Sequence, residues 1–215
     1  SSMRSSMGAS LSKLLKQSAK LTVHRYAKVG TGLARPDVYD WHKRTMELLE
    51  KHEIDLVVAQ FIGNDCQNLV NKDHTLEASL NSDEWGIAYQ RRVRDFVLSI
   101  QEQGIEVALI GMPIVRSPRF RKRLAYANQL VAEVAAETNS LYIATWDVTS
   151  DSKGKYQDSI RVDGRTLRFR HEDGIHLSHS GSKYVAKDIF VQLSKEYPWE
   201  TPETTNGTAS IPTQI

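Results

Sequence analysis

The stretch "IDLVVAQFIG" (54–63) is a nearly continuous apolar run. A strand that helices cover on both faces has this composition, because neither face meets water. "IEVALIGM" (105–112) and "LYIATWD" (141–147) repeat the pattern, and "LTVHRYAKV" (21–29) also predicts a strand, which ends at "GTG". These four segments predict the strands of a parallel sheet.

Segments with apolar residues at helical spacing separate the predicted strands. The predicted helices cover residues 3–19, residues 35–52 with Pro36 in the first turn, a stretch around 93–100 that ends near Gly104, a stretch around 124–134 that stops near Asn139, and residues 178–195. Strands and helices that alternate with short links are typical of the α/β class with a doubly wound parallel sheet flanked by helices. "GKYQDSIRVDGRTLRFR" (154–170) falls outside this alternation and predicts a β-hairpin insertion before the last helix, with its turn at Asp163-Gly164.

Composition limits the class of protein. The 215 residues are 40% hydrophobic and 25% charged, and a formal net charge of +2 gives no reason to expect a nucleic-acid partner. Cys66 is the single cysteine, which excludes an intrachain disulfide. No apolar run approaches the roughly eighteen residues of a membrane span, and the opening "SSMRSSMGAS" lacks the apolar core of a signal peptide. We predict one domain at 1–196 and a mobile, Pro/Thr-rich tail at 197–215.

Chemically useful residues follow the predicted strands at their carboxyl ends, where open α/β sheets bind ligands. They are Gly30, Thr31 and Gly32, then Gly63 to Cys66, Met112 and Pro113, Asp147, and, in the loop before the last helix, Asp173 and His176. This set suits acyl transfer by a serine, because the serine needs a base such as His176 and the base needs an orienting acid such as Asp173. The Asn64 amide and a glycine N–H are suitable donors to the oxyanion that forms.

Two motifs, "IGND" (62–65) and "DGIH" (173–176), resemble in their order and separation those of the SGNH (GDSL-type) hydrolase superfamily. Further stretches look like a bacterial, envelope-associated branch of SGNH-like domains of unknown function. These are "TGLARPDVYDW" (31–41), "GNDCQ" (63–67), "GMPIVRSPRF" (111–120) and "VDGRTLRFRHEDGIH" (162–176), together with Gly181 early in the last helix. The match runs from about residue 2 to residue 195. It implies a flavodoxin-like sheet, ester hydrolysis and a periplasmic or cell-envelope location.

The resemblance also implies roles for individual residues. It assigns the oxyanion donors Gly32 and Asn64, the base His176 and its partner Asp173. Gly32 is preferred to Gly30 because it directly precedes the "LARPDVYDW" stretch. Asp65 is expected to hold its loop more than to contact substrate, and Arg35 and Arg116 are further candidates for substrate contact.

The sequence departs from the family pattern at the nucleophile. The family places its serine in Gly-Asp-Ser directly after a first, central strand, and neither that strand nor Gly-Asp is present here. Alignment with the family's first helix puts Ser2 at the nucleophile position, a shift by one puts Ser1 there, and in a third possibility the serine is missing. A sheet without its central strand has unpaired buried backbone groups. We therefore predict that the sequence omits residues or that another segment fills the gap.

We expect a serine esterase that removes a small, acetyl-like acyl group from a carbohydrate or cell-envelope glycan. Two alternatives stay open: an O-acyltransferase acting on the same substrates, and an inactive module that binds glycan or protein. We expect no metal, because the histidines have no metal-ligand spacing, and no cofactor, because the sequence has no phosphate loop or dinucleotide fingerprint.

Three other features of the sequence each allow two interpretations. The basic run Arg116, Arg119, Arg121, Lys122 and Arg123 is either a solvated helix start or a site for an anionic glycan or phosphate. Tyr39 and Trp41 either pack in the core or stack on sugar rings. Cys66 is either a small buried residue, which we favour, or, because it lies beside the candidate site, a thiol nucleophile.

Overall fold

The computed structural model describes residues 6–17 and 21–199. Its helices are α1 (Ser6–Gln17), α2 (Trp41–Leu49), α3 (Ile62–Asp65), α4 (Asp83–Gln101), α5 (Pro118–Glu137) and α6 (His179–Glu196). Its strands are β1 (Leu56–Ala59), β2 (Leu69–Val70), β3 (Leu76–Ala78), β4 (Glu106–Ile110), β5 (Leu141–Ile143), β6 (Ser159–Val162) and β7 (Arg165–Arg168).

β1, β4 and β5 form a parallel sheet with β4 between the other two strands. Side chains alternate along β4. Val107 and Leu109 join the apolar cluster of α4 and α5, whereas Ala108 and Ile110 join the cluster of α1 and α6. Helices thus cover both faces of the sheet, which explains the continuous apolar composition of its strands. The predicted α/β fold, with a doubly wound parallel sheet, is confirmed.

The prediction of a strand at 21–29 is wrong. Residues 21–28 pair with no strand of the described chain, and side chains hold them instead. The Tyr26 hydroxyl lies 2.8 Å from Nε2 of His52, and the His24 ring stacks on the His52 ring with centroids 3.9 Å apart. An alternating sequence favours extended backbone, but a strand also requires a neighbour for its N–H and C=O groups.

The second helix begins at Trp41, so its predicted start at residue 35 is also wrong. Backbone N–H groups of Val38 and Tyr39 both donate to the Arg35 carbonyl, which makes a turn instead of a helical start. The helix is capped by Asp40, whose carboxylate accepts the Lys43 N–H at 3.0 Å. A side-chain cap of this kind fixes where a helix begins more strongly than a proline that merely tolerates the first turn.

The predicted hairpin and last helix are both confirmed. β6 and β7 pair antiparallel, and the turn residues Asp163 and Gly164 have φ angles of +48° and +75°. Positive φ at both positions is the signature of a type I′ turn. α6 begins after Ser178, whose Oγ accepts the Gly181 N–H at 3.0 Å.

The missing central strand stays a prediction. β1 pairs with β4, and within residues 6–17 and 21–199 no strand pairs with its other edge. Residues 21–28 and β1 together line a cavity of about 600 Å³, with Leu21 and Val23 contributed by the first and Leu56 and Val58 by the second. The lining of this cavity is mixed, because Arg25, Glu53 and Asp55 also contribute to it.

At the end of α6, Tyr197 and Trp199 pack against the cluster of α1 and α6, so the first residues of the predicted tail contact the domain. Residues 200–215 lie outside the described part of the chain. Among the helices that the structure describes, none combines the length and apolar composition needed to cross a membrane.

Candidate active site

The loop that follows β4 brings the "GND" and "DGIH" turns to one edge of the sheet. α3, which contains Gly63, follows the carboxyl end of β1, and the Met112 side chain packs so closely that a Cβ on Gly63 would lie 2.9 Å from its Cε. At the other end of the same loop, the Arg116 N–H donates to the Gly174 carbonyl at 3.0 Å. Both turns are thus in contact with residues 112–116.

Asp173 and His176 form a hydrogen-bonded pair at this edge. The ring Nδ1 of His176 donates to Asp173 Oδ2 at 2.6 Å, while Asp173 Oδ1 accepts the N–H groups of Ile175 at 2.8 Å and His176 at 2.9 Å. Partial burial acts to raise the pKa of Asp173, but these hydrogen bonds outweigh it and hold the pKa at about 2. The carboxylate is therefore ionised at neutral pH and fixes the ring so that Nε2 is the nitrogen left for chemistry.

The histidine is also accessible. The side chain of His176 is 56% exposed and that of Asp173 is 43% exposed. A base must reach the proton that it abstracts, so an exposed imidazole held by a carboxylate has the geometry of a general base.

Two arginines hold the loop that carries this pair. Arg170 is fully buried and donates to the carbonyls of Ile175, at 3.0 Å, and of Ile114 in the loop after β4. Arg116 donates to the Glu172 carbonyl at 2.8 Å and pairs with Asp158 at 2.7 Å. Burial lowers the pKa of Arg170 to about 10, so the guanidinium remains charged at neutral pH.

Glycine is required at position 174 of this loop. Gly174 has a φ of +66°, and a Cβ there would lie 2.5 Å from the Cβ of Arg116. Both the left-handed backbone and the close approach of the arginine exclude a side chain.

Asn64 reaches the turn that contains Gly32. Its Nδ2 donates to the Thr31 carbonyl at 2.8 Å, which leaves the second N–H of the amide for another acceptor. The Trp41 indole N–H donates to the Thr31 hydroxyl at 2.8 Å and fixes the same turn from the α2 side. The two predicted oxyanion donors are therefore neighbours in the structure.

Asp65 explains why position 32 is glycine. A Cβ on Gly32 would lie 2.1 Å from Asp65 Oδ1, and this oxygen accepts the Ala34 N–H at 2.8 Å. Gly32 does not have a positive φ; within this turn that role belongs to Gly30, at +72°. Position 32 thus requires glycine because a carboxylate packs directly against it.

The Asp65 carboxylate is fully buried, so solvent does not reach it. Its Oδ2 accepts the Tyr89 hydroxyl at 3.0 Å, and burial raises the pKa of the carboxyl. The Arg92 guanidinium donates to the carbonyl oxygens of Leu33 and Ala34 in the same turn, in both cases at 2.9 Å. Residues 31–34 are therefore held through both their N–H and C=O groups.

The other candidates from the sequence lie as follows. Both Nε and Nη2 of Arg35 bind the Asp37 carboxylate, at 2.8 and 2.7 Å, so this guanidinium is already engaged. Cys66 is half-buried, and burial raises the pKa of its thiol to about 12. A thiol that stays protonated at neutral pH is a poor nucleophile, which favours the packing interpretation.

Ser1 and Ser2 lie outside the described residues, so the structure gives no position for either candidate nucleophile. The nearest described residue is Ser6 at the start of α1, whose hydroxyl donates to the Ser182 hydroxyl at 2.6 Å. Ser182 belongs to the first turns of α6, which directly follows the His176 loop.

Sequence reasoning missed Arg170, Arg92 and Tyr89, which hold the two turns; Arg170 and Tyr89 are fully buried and Arg92 is mostly buried. Arginine and tyrosine are usually at least partly exposed, so composition offered no sign of their burial. The one available signal was the position of Arg170 directly between Phe169 and the "HEDGIH" turn.

Comparison with known structures identifies the fold. A protein from Slackia heliotrinireducens, provisionally assigned as an SGNH hydrolase, superposes with a TM-score of 0.62 at 17% identity, over 89% of this chain and 94% of its own. Est24, a carbohydrate acetylesterase from Sinorhizobium meliloti, superposes with a TM-score of 0.60 at 13% identity, over 92% of this chain and 87% of its own. A catalytic mutant of Axe2, an acetylxylan esterase from Geobacillus stearothermophilus, superposes with a TM-score of 0.60 at 16% identity, over 86% of this chain and 78% of its own.

At these identities the likeness concerns the fold, and it confirms the resemblance to SGNH hydrolases that the motifs indicated. A search of curated proteins by sequence found no match. The family described as "Protein of unknown function (DUF459)" matches residues 1–192. The chain belongs to this family, and its fold is similar to that of SGNH hydrolases.

Proposed function

We propose that the protein is a serine esterase of the SGNH type, which removes a small acyl group such as acetyl from a carbohydrate or cell-envelope glycan. The observation that carries the proposal is the pairing of His176 with an ionised Asp173 at the same sheet edge as the Asn64 and Gly32 turns. A base, its orienting acid and two adjacent oxyanion donors are the non-nucleophile parts of an acyl-transfer site.

The reaction follows from these parts. The hydroxyl of Ser2, or alternatively of Ser1, attacks the ester carbonyl carbon while His176 Nε2 takes its proton. The Gly32 N–H and the Asn64 amide stabilise the oxyanion, and the imidazolium returns the proton to the departing sugar hydroxyl as the C–O bond breaks. Water, activated by the same imidazole, then attacks the acyl-serine and releases the carboxylic acid.

The start of α1 supports a serine at the amino-terminal end as the nucleophile. Ser6 is hydrogen-bonded to Ser182, close in the chain to the loop that carries His176. Ser2 is four residues before Ser6 in the sequence, so only a short segment separates it from the start of α1.

The substrate class is supported by the fold neighbours, among which Est24 is described as a carbohydrate acetylesterase and Axe2 as an acetylxylan esterase. Transfer of the acyl group to a sugar hydroxyl instead of water requires the same residues. The family resemblance supports a periplasmic or envelope location.

Labelling with a fluorophosphonate, followed by mass-spectrometric mapping of the modified serine, tests the proposal. We expect labelling at Ser2 or Ser1, loss of labelling and of p-nitrophenyl acetate hydrolysis in His176→Ala, and retention of both in His179→Ala, a nearby histidine in α6. Labelling that persists without His176 would contradict the triad. A protein that is folded, unlabelled and inactive would instead support the non-catalytic glycan- or protein-binding module.

A further inference from the structure

The basic run of α5 flanks the candidate active site. Arg116, directly before the cap of α5, contacts the Asp173–His176 loop through the Gly174 and Glu172 carbonyls. On the other side, α3 with the "GND" turn packs against α5. Arg123 is close enough to Cys66 to oppose the rise in the thiol pKa that burial and Asp65 cause. The first two turns of α5 therefore lie between the two candidate catalytic turns.

The cations in these turns are uncompensated. Within residues 6–17 and 21–199, Arg119, Lys122 and Arg123 make no ion pair with a carboxylate, in contrast to Arg116, which pairs with Asp158. The first turn of α5 contains no acidic residue, and the carboxylates of the helix, Glu133 and Glu137, are in its second half.

This distribution opposes the helix dipole. Carboxylates stabilise the amino-terminal end of a helix and cations stabilise the carboxyl-terminal end. In α5 the cations lie at the amino-terminal end and the carboxylates in the second half, which is the less favourable arrangement for both. The three side chains also repel one another. A charge arrangement that lowers helix stability beside a candidate site is explained if a negatively charged ligand completes it.

We propose that Arg119, Lys122 and Arg123 bind acidic groups of the substrate, so that the ester that the protein cleaves is on an anionic glycan. This inference rests on the proposed esterase function and specifies its substrate class. Guanidinium and ammonium groups attract carboxylates over several ångströms, and a cationic rim raises the local concentration of an anionic substrate and its rate of association.

The test compares two acetylated oligosaccharides of similar length, one anionic (acetylated oligogalacturonate) and one neutral (acetylated xylo-oligosaccharide). The site variant combines Arg119→Gln, Lys122→Gln and Arg123→Gln. The matched control combines Lys13→Gln, Lys16→Gln and Lys51→Gln, which removes the same charge from exposed positions in α1 and after α2.

In 50 mM salt we expect kcat/KM of the unmodified protein to favour the anionic substrate by about tenfold or more, the lower range of electrostatic steering. The preference falls to about twofold or less in the site variant and in 500 mM salt, where charges are screened within a few ångströms. The control variant retains the preference. An equal kcat/KM for the two substrates, or an equal loss in both variants, overturns the inference.

Calorimetric titration with unacetylated oligogalacturonate separates this inference from the esterase proposal. If the protein hydrolyses no ester, the esterase proposal fails, and the binding of oligogalacturonate alone tests whether the three cations recognise an anionic glycan. Salt-sensitive binding that the site variant loses and the control retains supports the cationic rim. Absent binding, or binding that the site variant retains, overturns it.

Discussion

Replacing Gly32 by alanine directly tests how the candidate oxyanion turn is built. The new Cβ would lie 2.1 Å from Asp65 Oδ1 and 2.8 Å from its Cγ, well inside ordinary contact distances. The carboxylate has no free direction to move, because it is fully buried and accepts the Ala34 N–H and the Tyr89 hydroxyl. Moving Oδ1 out of contact by about 1 Å would break the hydrogen bond to Ala34.

The expected magnitude follows from these contacts. A buried polar group that loses its hydrogen-bond partner costs about 1–3 kcal/mol, and overpacking costs about 1–3 kcal/mol. Gly32→Ala should therefore lower the free energy of unfolding by about 3–5 kcal/mol, since some of the strain relaxes when the bond breaks. Gly30→Ala is the matched control. A Cβ there meets nothing within 4 Å, so only the left-handed backbone at φ +72° is penalised, by about 1–2 kcal/mol.

Urea denaturation followed by far-ultraviolet circular dichroism measures both variants. A double-mutant cycle with Asp65→Ala isolates the contact, because the shortened side chain no longer meets the new Cβ, and we expect a coupling of about 2 kcal/mol. The reasoning is refuted if Gly32→Ala is no more destabilising than Gly30→Ala, or if the two substitutions at 32 and 65 are additive.

Three further predictions concern the other parts of the site. Asp173→Asn should lower kcat by about 10²-fold or more, because the amide favours the wrong tautomer of His176. The pKa of Asp173 is lowered to about 2, so the stabilising effect of its carboxylate is present above about pH 4 and is lost as the pH falls towards 2. The urea midpoints of the variant and the parent should therefore converge over that interval. A constant difference would contradict the stabilising hydrogen bonds of Asp173. Arg170→Met should lower the free energy of unfolding by about 2–4 kcal/mol, because it leaves the carbonyls of Ile175 and Ile114 unpaired. Arg168→Met, at an exposed position, should change it by less than about 0.5 kcal/mol. Equal effects of the two substitutions would contradict a structural role for the Arg170 hydrogen bonds. Cys66→Ala should retain most of the esterase activity, because burial raises the thiol pKa to about 12, and a complete loss in a folded variant would point to a thiol nucleophile.

The doubly wound fold was predictable because it depends on local patterns. The apolar run at 105–112 predicted a strand buried on both faces, and the structure divides its residues between the two helical layers. The Asp163-Gly164 turn and the start of the last helix at Ser178 were predictable for the same reason, since each rests on backbone preferences and caps within a few residues.

The two errors had different causes, the absence of a strand partner in one case and a local helix cap in the other. Residues 21–29 alternate like a strand, but no described strand lies beside them. The second helix begins later than its proline suggested, because the Asp40 carboxylate caps it.

By itself, the sequence determined the layered α/β class and the types of residue at the candidate site, because periodic burial and short motifs are properties of neighbouring residues. Tertiary structure alone decided how that site is held. Asp65 packs against Gly32, Arg92 binds the carbonyls of the same turn, and Arg170 joins the His176 loop to Ile114. These contacts join residues that are far apart in the chain, and burial makes each of them strong, so no local pattern reveals them.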